Sequence, residues 1–179
     1  MPPESSSGTR SLTTEEIADL LKSTAESMRS ELRGLADDVA SWRPGPGEWC
    51  IKECVGHMIE TEAHGFAGRI RRTLEEPGHT ETGWDPAQVV RDRRDDLRPL
   101  EELVDAFSEI RAESIRLVEG LMNIDMVKSC VHEQVGELAV EDLLNEWVHH
   151  DRNHYRQVLA NIQAYVLPSM GNSRGFLGM

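Results

Sequence analysis

Apolar residues recur every three or four positions along four long stretches of this chain, which is the spacing of amphipathic helices. Between these stretches the residues are mostly polar, with proline and glycine near the junctions. Thr13 and Glu16 have the spacing of a capping box and mark the start of the first helix. The pattern predicts helices over residues of about 14–35, 51–74, 99–121 and 140–166. The inner stripe of the third helix is expected to contain Leu103, Phe107, Ile110, Ser114, Leu117 and Leu121.

The segments between these helices show little periodicity. Residues 41–47 contain two prolines and two glycines, which predicts a loop. Residues 79–86 are expected to form a polar connection, and residues 87–98 to begin a further helix. Residues 123–137 are expected to be irregular, with a brief extended piece at residues 126–132.

Four helices of this length, 5% aromatic residues and almost no strand signal indicate an all-α four-helix bundle. The connection between helices two and three is long enough to cross the bundle, so these two helices could lie parallel. We expect a single domain over residues 12–166. A flexible N-terminal arm (residues 1–11) and a loosely ordered C-terminal tail (residues 167–179) flank it.

The charge balance narrows the classes of partner. The chain has 19 Lys and Arg against 32 Asp and Glu, a net charge of −13. This argues against nucleic acid or an anionic membrane as a partner, because both require a basic face. No apolar run approaches the roughly 20 residues of a membrane span, and the N-terminal arm lacks the apolar core of a secretion signal. We therefore expect a cytoplasmic protein, whose three cysteines are free thiols.

His150 and His154 lie four residues apart in the fourth predicted helix, in line with the apolar Trp147 and Val158. Two imidazoles one turn apart on a core-facing stripe are close enough to share a metal ion. A buried imidazole needs a partner, which is either such an ion or ordinary hydrogen bonds. Asp151 is a candidate outer partner of the ligands or a catalytic base. Because it is turned by about 100° from their face, an outer partner or a surface group fits better than a base.

A metal ion needs a third protein ligand, and His57 on the second predicted helix is the candidate. It adjoins Gly56, which would let another helix approach closely, although it could equally be a half-exposed histidine flanking the core. Cys50 and Cys54 share its face and offer a rival thiolate site, but buried cysteines often serve packing alone. Glu62, on the inner stripe near His57, could accept a hydrogen bond behind a ligand, act as a base, or be a buried structural group.

Other chemistry finds little support in the sequence. There is no glycine-rich phosphate loop and no Gly-x-Ser-x-Gly elbow. His64 and His79 are expected to be solvated, and His149 to lie on a polar face. The proximity of Cys130 to His132 is interpreted as coincidence.

Two blocks of sequence resemble the DinB-like (DinB/YfiT-type) superfamily of four-helix-bundle metalloproteins. Residues 47–57 (GEWCIKECVGH) resemble the family's Gly-x-Trp-Ser-x-x-Glu followed by a histidine on helix two. Residues 150–157 (HDRNHYRQ) resemble its His-Asp-x-x-His-x-x-Gln on the last long helix. With the helix layout, the likeness covers residues of about 12–166. Cys50 departs from the usual serine, which predicts a poorer cap at the start of helix two.

The resemblance implies a bundle with up-down-down-up connectivity, often assembled as a homodimer. It also implies a divalent ion, zinc or nickel, held by three histidines. By position these are His57, His150 and His154. Similar proteins include transferases and isomerases that use the low-molecular-weight thiols bacillithiol, mycothiol or glutathione.

Three functional hypotheses follow from the residues and the resemblance. The first is a metal-dependent enzyme with a small-molecule substrate, either a thiol S-transferase acting on a small electrophile or a related hydrolase. The second is a non-catalytic, stress-linked metal-binding or sensing module. The third is a metal-free bundle with hydrogen-bonded core histidines.

Overall fold

The computed structural model describes residues 10–178 of the chain. Most of these residues are helical, and the helices are α1 (Thr14–Leu32), α2 (Asp37–Ser41), α3 (Ile51–Glu60), α4 (Ala67–Glu75), α5 (Pro86–Arg93), α6 (Leu100–Glu119), α7 (Asn123–Met126) and α8 (Val140–Val166). A π-helical turn, Thr61–Phe66, joins α3 and α4 into one rod. Short 3-10 segments occupy Asp95–Leu97 and Leu167–Gly178.

The four long helices were predicted closely. The bounds of α8 agree with the prediction, and the capping box of Thr13 and Glu16 is formed at the start of α1. The first helix ends at Leu32, three residues earlier than predicted, because the chain turns at Gly34 with a φ of 75°. The predicted N-terminal arm falls almost wholly outside the described residues, and the tail after α8 forms 3-10 turns.

A small sheet was not predicted, although its second strand falls within the extended piece predicted at residues 126–132. Its three strands are β1 (Thr80–Glu81), β2 (Ser129–His132) and β3 (Gly136–Ala139). β1 pairs in parallel with β2, and β2 pairs antiparallel with β3. Strands of two to four residues are too short to show an alternating pattern, and β1 lies far from β2 in sequence. The sheet ties the crossover connection to the segment that precedes α8.

The long helices pack as a four-helix bundle. α1 packs mainly against α6 and α8, and α3 also packs against both of these helices. Within residues 10–178, no helix combines the length and the apolarity needed to cross a bilayer.

The core consists of two apolar clusters. The first cluster contains Ile17, Ala18, Leu21, Phe66, Ala67, Ile70, Val118, Leu121, Val140, Leu143, Leu144 and Trp147. The second contains Met28, Leu32, Ala40, Ile51, Cys54, Val55, Met58, Leu100, Leu103, Val104, Phe107 and Val158. Between them the helices contribute a buried polar layer, defined here as His57, Glu62, Arg111, Asp151 and His154.

The buried stripe of α6 differs from the prediction by one residue. Sequence periodicity pointed to Ile110 and Leu117, but both are only half-buried. Arg111 and Val118 occupy the inner positions instead. Arg111 follows Phe107 by four residues, so both lie on the same face of α6, and this face places a charged side chain in the middle of the bundle.

Gly56 allows a close approach, as predicted, but the partner is a 3-10 segment and not a helix of the bundle. A Cβ at this position would lie 1.9 Å from Oδ2 of Asp95. Asp95 is buried and accepts hydrogen bonds from Arg93 at 2.6 Å and Arg98 at 3.1 Å. The glycine therefore lets the crossover connection lie directly on α3.

Candidate metal centre

Three histidines converge at one end of the polar layer. His57 comes from α3, while His150 and His154 are one turn apart on α8. Each offers a ring nitrogen, and these nitrogens all lie within 4.8 Å of one another. Nε2 of His57 and Nε2 of His150 are 3.1 Å apart. Two imidazoles bound to one tetrahedral zinc have nitrogens about 3.3 Å apart, so the spacing fits a shared ion.

A glutamine fixes the ring of His154. Nδ1 of His154 lies 3.0 Å from Oε1 of Gln157. An amide oxygen only accepts, so Nδ1 carries the proton in this contact and the lone pair is on Nε2. This is the arrangement in which the outer partner of a metal-binding histidine sets its tautomer and orientation.

Burial keeps the three rings neutral. His57 is 4% exposed and His154 is 9% exposed. Burial, followed by the charges of His154 and Arg93, lowers the pKa of His57 to about 3. Burial and the two other rings lower the pKa of His150 to about 2, and burial also lowers the pKa of His154. At neutral pH the rings are therefore uncharged, the state in which an imidazole can bind a metal ion through its unprotonated nitrogen.

Aromatic side chains confine the histidines. The ring of Trp49 is 4.9 Å from that of His57 and stacks on that of His154 at 6.0 Å. Phe66 meets the ring of His150 edge-on at 5.1 Å and stacks on Trp147 at 5.3 Å. These contacts restrict rotation of the imidazoles and exclude water from their sides.

The π-helical turn lies level with the histidines. It places Glu62 inside the bundle and Phe66 against His150. A Cβ on Gly68 would lie 2.1 Å from the carbonyl oxygen of Ala63, so the widened turn depends on a glycine at this position. Single π turns inside helices occur frequently at functional sites.

Behind the histidines, the buried side chain of Arg111 connects α6 to three other elements of the bundle. Its Nη2 lies 2.6 Å from Oε2 of Glu62 and 3.0 Å from Oδ1 of Asp151. Its Nη1 also donates to the carbonyl oxygen of Leu21, at 2.8 Å. The side chains of all three ionic residues are at most 2% exposed. This cluster ties α6 to the π turn, to α8 and to α1 at the level of the site.

The histidines line a cleft of about 380 Å³. Its other walls come from the α3–α4 rod, from residues 83–86 of the crossover connection and from the turn after β2. The lining residues are Trp49, His57, Thr61, Gly65, Phe66, Arg69, Gly83, Trp84, Pro86, His132, Gln134, Glu146, His150 and His154. A small molecule in this cleft would lie beside the three ring nitrogens.

Comparison with known proteins agrees with this architecture. A sequence model of the DinB superfamily matches residues 20–158. The chain belongs to the DinB superfamily. No curated protein matches its sequence significantly.

Among solved structures, YfiT from Bacillus subtilis is similar to this DinB-superfamily chain, with a TM-score of 0.77 and 14% sequence identity over 91% of each chain. YfiT is described as a probable metal-dependent hydrolase with an unusual four-helix bundle topology. At 14% identity the likeness concerns the fold.

In this DinB-superfamily chain, the positions of the two candidate carboxylates, Asp151 and Glu62, agree only in part with the sequence predictions. Asp151 is 2% exposed, so its prediction as a surface group is wrong. It follows Trp147 by four residues and precedes His154 by three, which places it on the inner stripe after all. Glu62 is 1% exposed, and both carboxylates are bound to Arg111. Neither lines the cleft, which favours a structural role over that of a base.

The rival thiolate site is not formed. Among residues 10–178, the one group of three or more metal-binding side chains that comes together contains His57, His150 and His154, without a cysteine. Cys50 and Cys54 are buried, and burial raises the pKa of Cys50 to about 11 and that of Cys54 further. Both thiols therefore remain protonated at neutral pH and serve packing.

Sequence reasoning assigned three of the remaining histidines, and His149 is exposed, as predicted for a residue on a polar face. His64 is largely exposed, as predicted. The prediction for His79 is wrong, because its side chain is 12% exposed and its Nε2 lies 2.7 Å from Oε1 of Glu81. His132 is 8% exposed and lines the cleft, a role that no sequence feature indicated.

Replacing Gln157 with alanine is expected to lower zinc affinity by about 10–100-fold, because His154 loses the partner that holds its tautomer. Competition with a chromophoric chelator measures this change. Gln163→Ala is the matched control, since Gln163 is exposed on the same helix. Equal zinc affinity of the Gln157 and Gln163 variants would show that the contact does not support a bound ion.

Proposed function

We propose that this chain is an enzyme that uses one divalent metal ion held by His57, His150 and His154. The observation that supports this most strongly is the convergence of three neutral ring nitrogens beside a cleft. Three protein ligands with one open position are typical of catalytic zinc, whereas structural zinc usually has four protein ligands. Within the described part of the chain, no fourth histidine, cysteine or carboxylate joins the group.

The donor set limits which ions fit. Three imidazole nitrogens suit zinc and nickel, while magnesium and calcium prefer oxygen ligands. We propose zinc or nickel on this basis. Such an ion would supply Lewis acidity, which makes a water or a thiol a stronger nucleophile at neutral pH.

The residues around the ion have separate tasks in this proposal. Trp49 and Phe66 hold the imidazole rings and keep water from their sides. Gln157 keeps the proton of His154 on Nδ1. Arg111 anchors the helices that carry the ligands. A substrate in the cleft would then be held beside a site whose geometry is set before binding.

For the reaction, we propose transfer of a low-molecular-weight thiol of the bacillithiol, mycothiol or glutathione type to a small electrophile. Support comes from the resemblance of the two sequence blocks to DinB-like proteins of that activity. Metal-dependent hydrolysis is the second candidate, favoured by the description of the structurally similar YfiT. Both reactions use the same open position beside the same three histidines.

Turnover assays on metal-free, zinc-loaded and nickel-loaded protein, prepared without a histidine tag, test this proposal. With at least one of the three thiols, we expect metal-dependent transfer to 1-chloro-2,4-dinitrobenzene, with release of chloride, at a rate above the spontaneous reaction. The hydrolysis candidate instead predicts metal-dependent cleavage in a parallel panel of esters and amides. Metal binding without metal-dependent turnover in either panel would contradict the enzymatic proposal. The chain would then be a non-catalytic metal-binding or sensing module.

A further inference from the structure

A second charged group lies in the cleft beside the histidines. Arg69, on α4, is 7% exposed and lines the same cleft. Its Nε is buried and has no hydrogen-bond partner among residues 10–178. Buried polar groups are nearly always hydrogen-bonded, and each exception requires an explanation. This Nε is not accessible from the cleft, so a ligand would meet the other nitrogens of the guanidinium. An incompletely hydrogen-bonded arginine in the wall of a cleft is a candidate anchor for an anion.

The carboxylate closest to Arg69 is already engaged. Oε2 of Glu81 lies 3.5 Å from Nε of Arg69. Glu81 also accepts two hydrogen bonds from Arg72, at 2.6 Å and 3.0 Å, and lies 2.7 Å from Nε2 of His79. Although burial raises it, these contacts lower the pKa of Glu81 to about 2. Two arginines therefore share one carboxylate, so Glu81 does not neutralise both guanidinium groups.

The walls of the cleft add apolar surface to this charge. The guanidinium carbon of Arg69 lies 5.8 Å from the centre of the Trp84 ring. Trp84 reaches this position because Gly65 has no side chain, since a Cβ there would lie 3.0 Å from the Trp84 ring. Of the lining residues, Glu146 is the one carboxylate, and it is exposed. The inner part of the cleft thus combines one cation with aromatic faces.

We propose that the cleft binds a small organic acid, whose carboxylate is held by Arg69 and whose apolar part lies against Trp84, Phe66 and Trp49. Arginine and a carboxylate form paired hydrogen bonds of fixed geometry, which would orient the acid. The volume of about 380 Å³ is in the range of small-molecule sites. This inference rests on the proposed function, for which it names the class of substrate.

Because the chain has a net charge of −13, only short-range contacts can favour binding of an organic acid. The acidic surface does not attract an anion from a distance, so the affinity has to come from groups inside the cleft. A bound divalent cation beside Arg69 would add to the local positive charge. A carboxylate that reaches Arg69 therefore adds to the affinity of the acid, and a neutral analogue of the same shape lacks this contribution.

Calorimetric titration of the zinc-loaded full chain with phenylacetate, hexanoate and phenylacetamide tests the proposal. We expect at least one of the acids to bind, and the neutral amide to bind more weakly than phenylacetate. Arg69→Gln should weaken binding of the acid by about tenfold or more, since a hydrogen bond to a charged group is lost. Arg71→Gln is the matched control, because it removes the same charge from an exposed position on α4.

Several results would overturn the proposal: no binding of either acid, equal affinity for phenylacetate and phenylacetamide, or an Arg69 variant that binds like the Arg71 variant. If Arg69→Gln fails to fold, Arg69→Lys retains the charge but not the paired donors. It should bind the acid several-fold more weakly than the wild type, and unchanged affinity would again contradict us. Elemental analysis of each sample separates the two proposals, because a zinc-free protein can still show Arg69-dependent binding of the acid.

Discussion

Replacing Arg111 with methionine is expected to lower the free energy of unfolding by about 3–5 kcal/mol, the usual cost of removing one partner from a buried ion pair. Glu62 and Asp151 have side chains that are 1% and 2% exposed, and both are bound to this arginine. Without it, two carboxylates remain buried close together with no cation to offset their charge. Urea unfolding followed by circular dichroism measures the change.

Two further variants sharpen this measurement. Arg116→Met is the matched control, because Arg116 is exposed on the same helix, and its effect should stay within about 0.5 kcal/mol. Replacing Glu62, Arg111 and Asp151 together with apolar residues of similar volume should recover much of the loss, since no buried charge remains. A loss in Arg111→Met no larger than that of the Arg116 control would show that the cluster does not stabilise the bundle.

Replacing His57, His150 or His154 with alanine should each lower zinc affinity by more than about 100-fold, which exceeds the effect expected for an outer partner such as Gln157. The reason is that two imidazoles alone hold the ion poorly. Competition titration measures the affinity. Zinc should also raise the melting temperature of the wild type but not that of these variants, because an ion stabilises the folded state only when it binds to it.

His149→Ala is the matched control for this series. His149 adjoins His150 on α8 but is exposed and does not belong to the triad. It should bind zinc like the wild type. If His149→Ala lost as much affinity as His150→Ala, or if none of the triad variants lost affinity, the three histidines would not form the metal site. The contact between His57 and His150 at 3.1 Å would then be an ordinary hydrogen bond.

Local periodicity was enough to find α8 and the pairing of His150 with His154, because one helix fixes the spacing of both residues. Periodicity alone could not identify His57 as the third ligand, since its position relative to α8 depends on how two helices pack. The resemblance of residues 47–57 and 150–157 to DinB-like proteins supplied that step. The structure brings the three predicted ligands together as that resemblance implied.

Arg111 was missed because a charged residue at a core position contradicts the pattern from which helix stripes are read. The apolar Ile110 and Leu117 shifted the predicted inner face of α6 by one residue. The two carboxylate partners of Arg111, on the π turn and on α8, and the carbonyl oxygen of Leu21 explain an arginine in the interior. The residues of this cluster lie far apart in the sequence, so no local pattern in one segment can predict it.

The outer wall of the cleft was also beyond sequence reasoning. Trp84 lies in an irregular connection, and His132 ends a four-residue strand. Their positions depend on the pairing of β1 with β2, which joins residues far apart in the chain. Gly65 is a local sign of this wall, but it becomes interpretable only once its contact with Trp84 is known.

X-ray absorption spectroscopy of the tag-free, zinc-loaded protein tests the shared metal site most directly. We predict one zinc per chain with three imidazole nitrogens at about 2.0–2.1 Å, and loss of one of them in His154→Ala. A protein that retains no zinc, or a zinc whose ligands are unchanged when His154 is replaced, would contradict the site formed by α3 and α8.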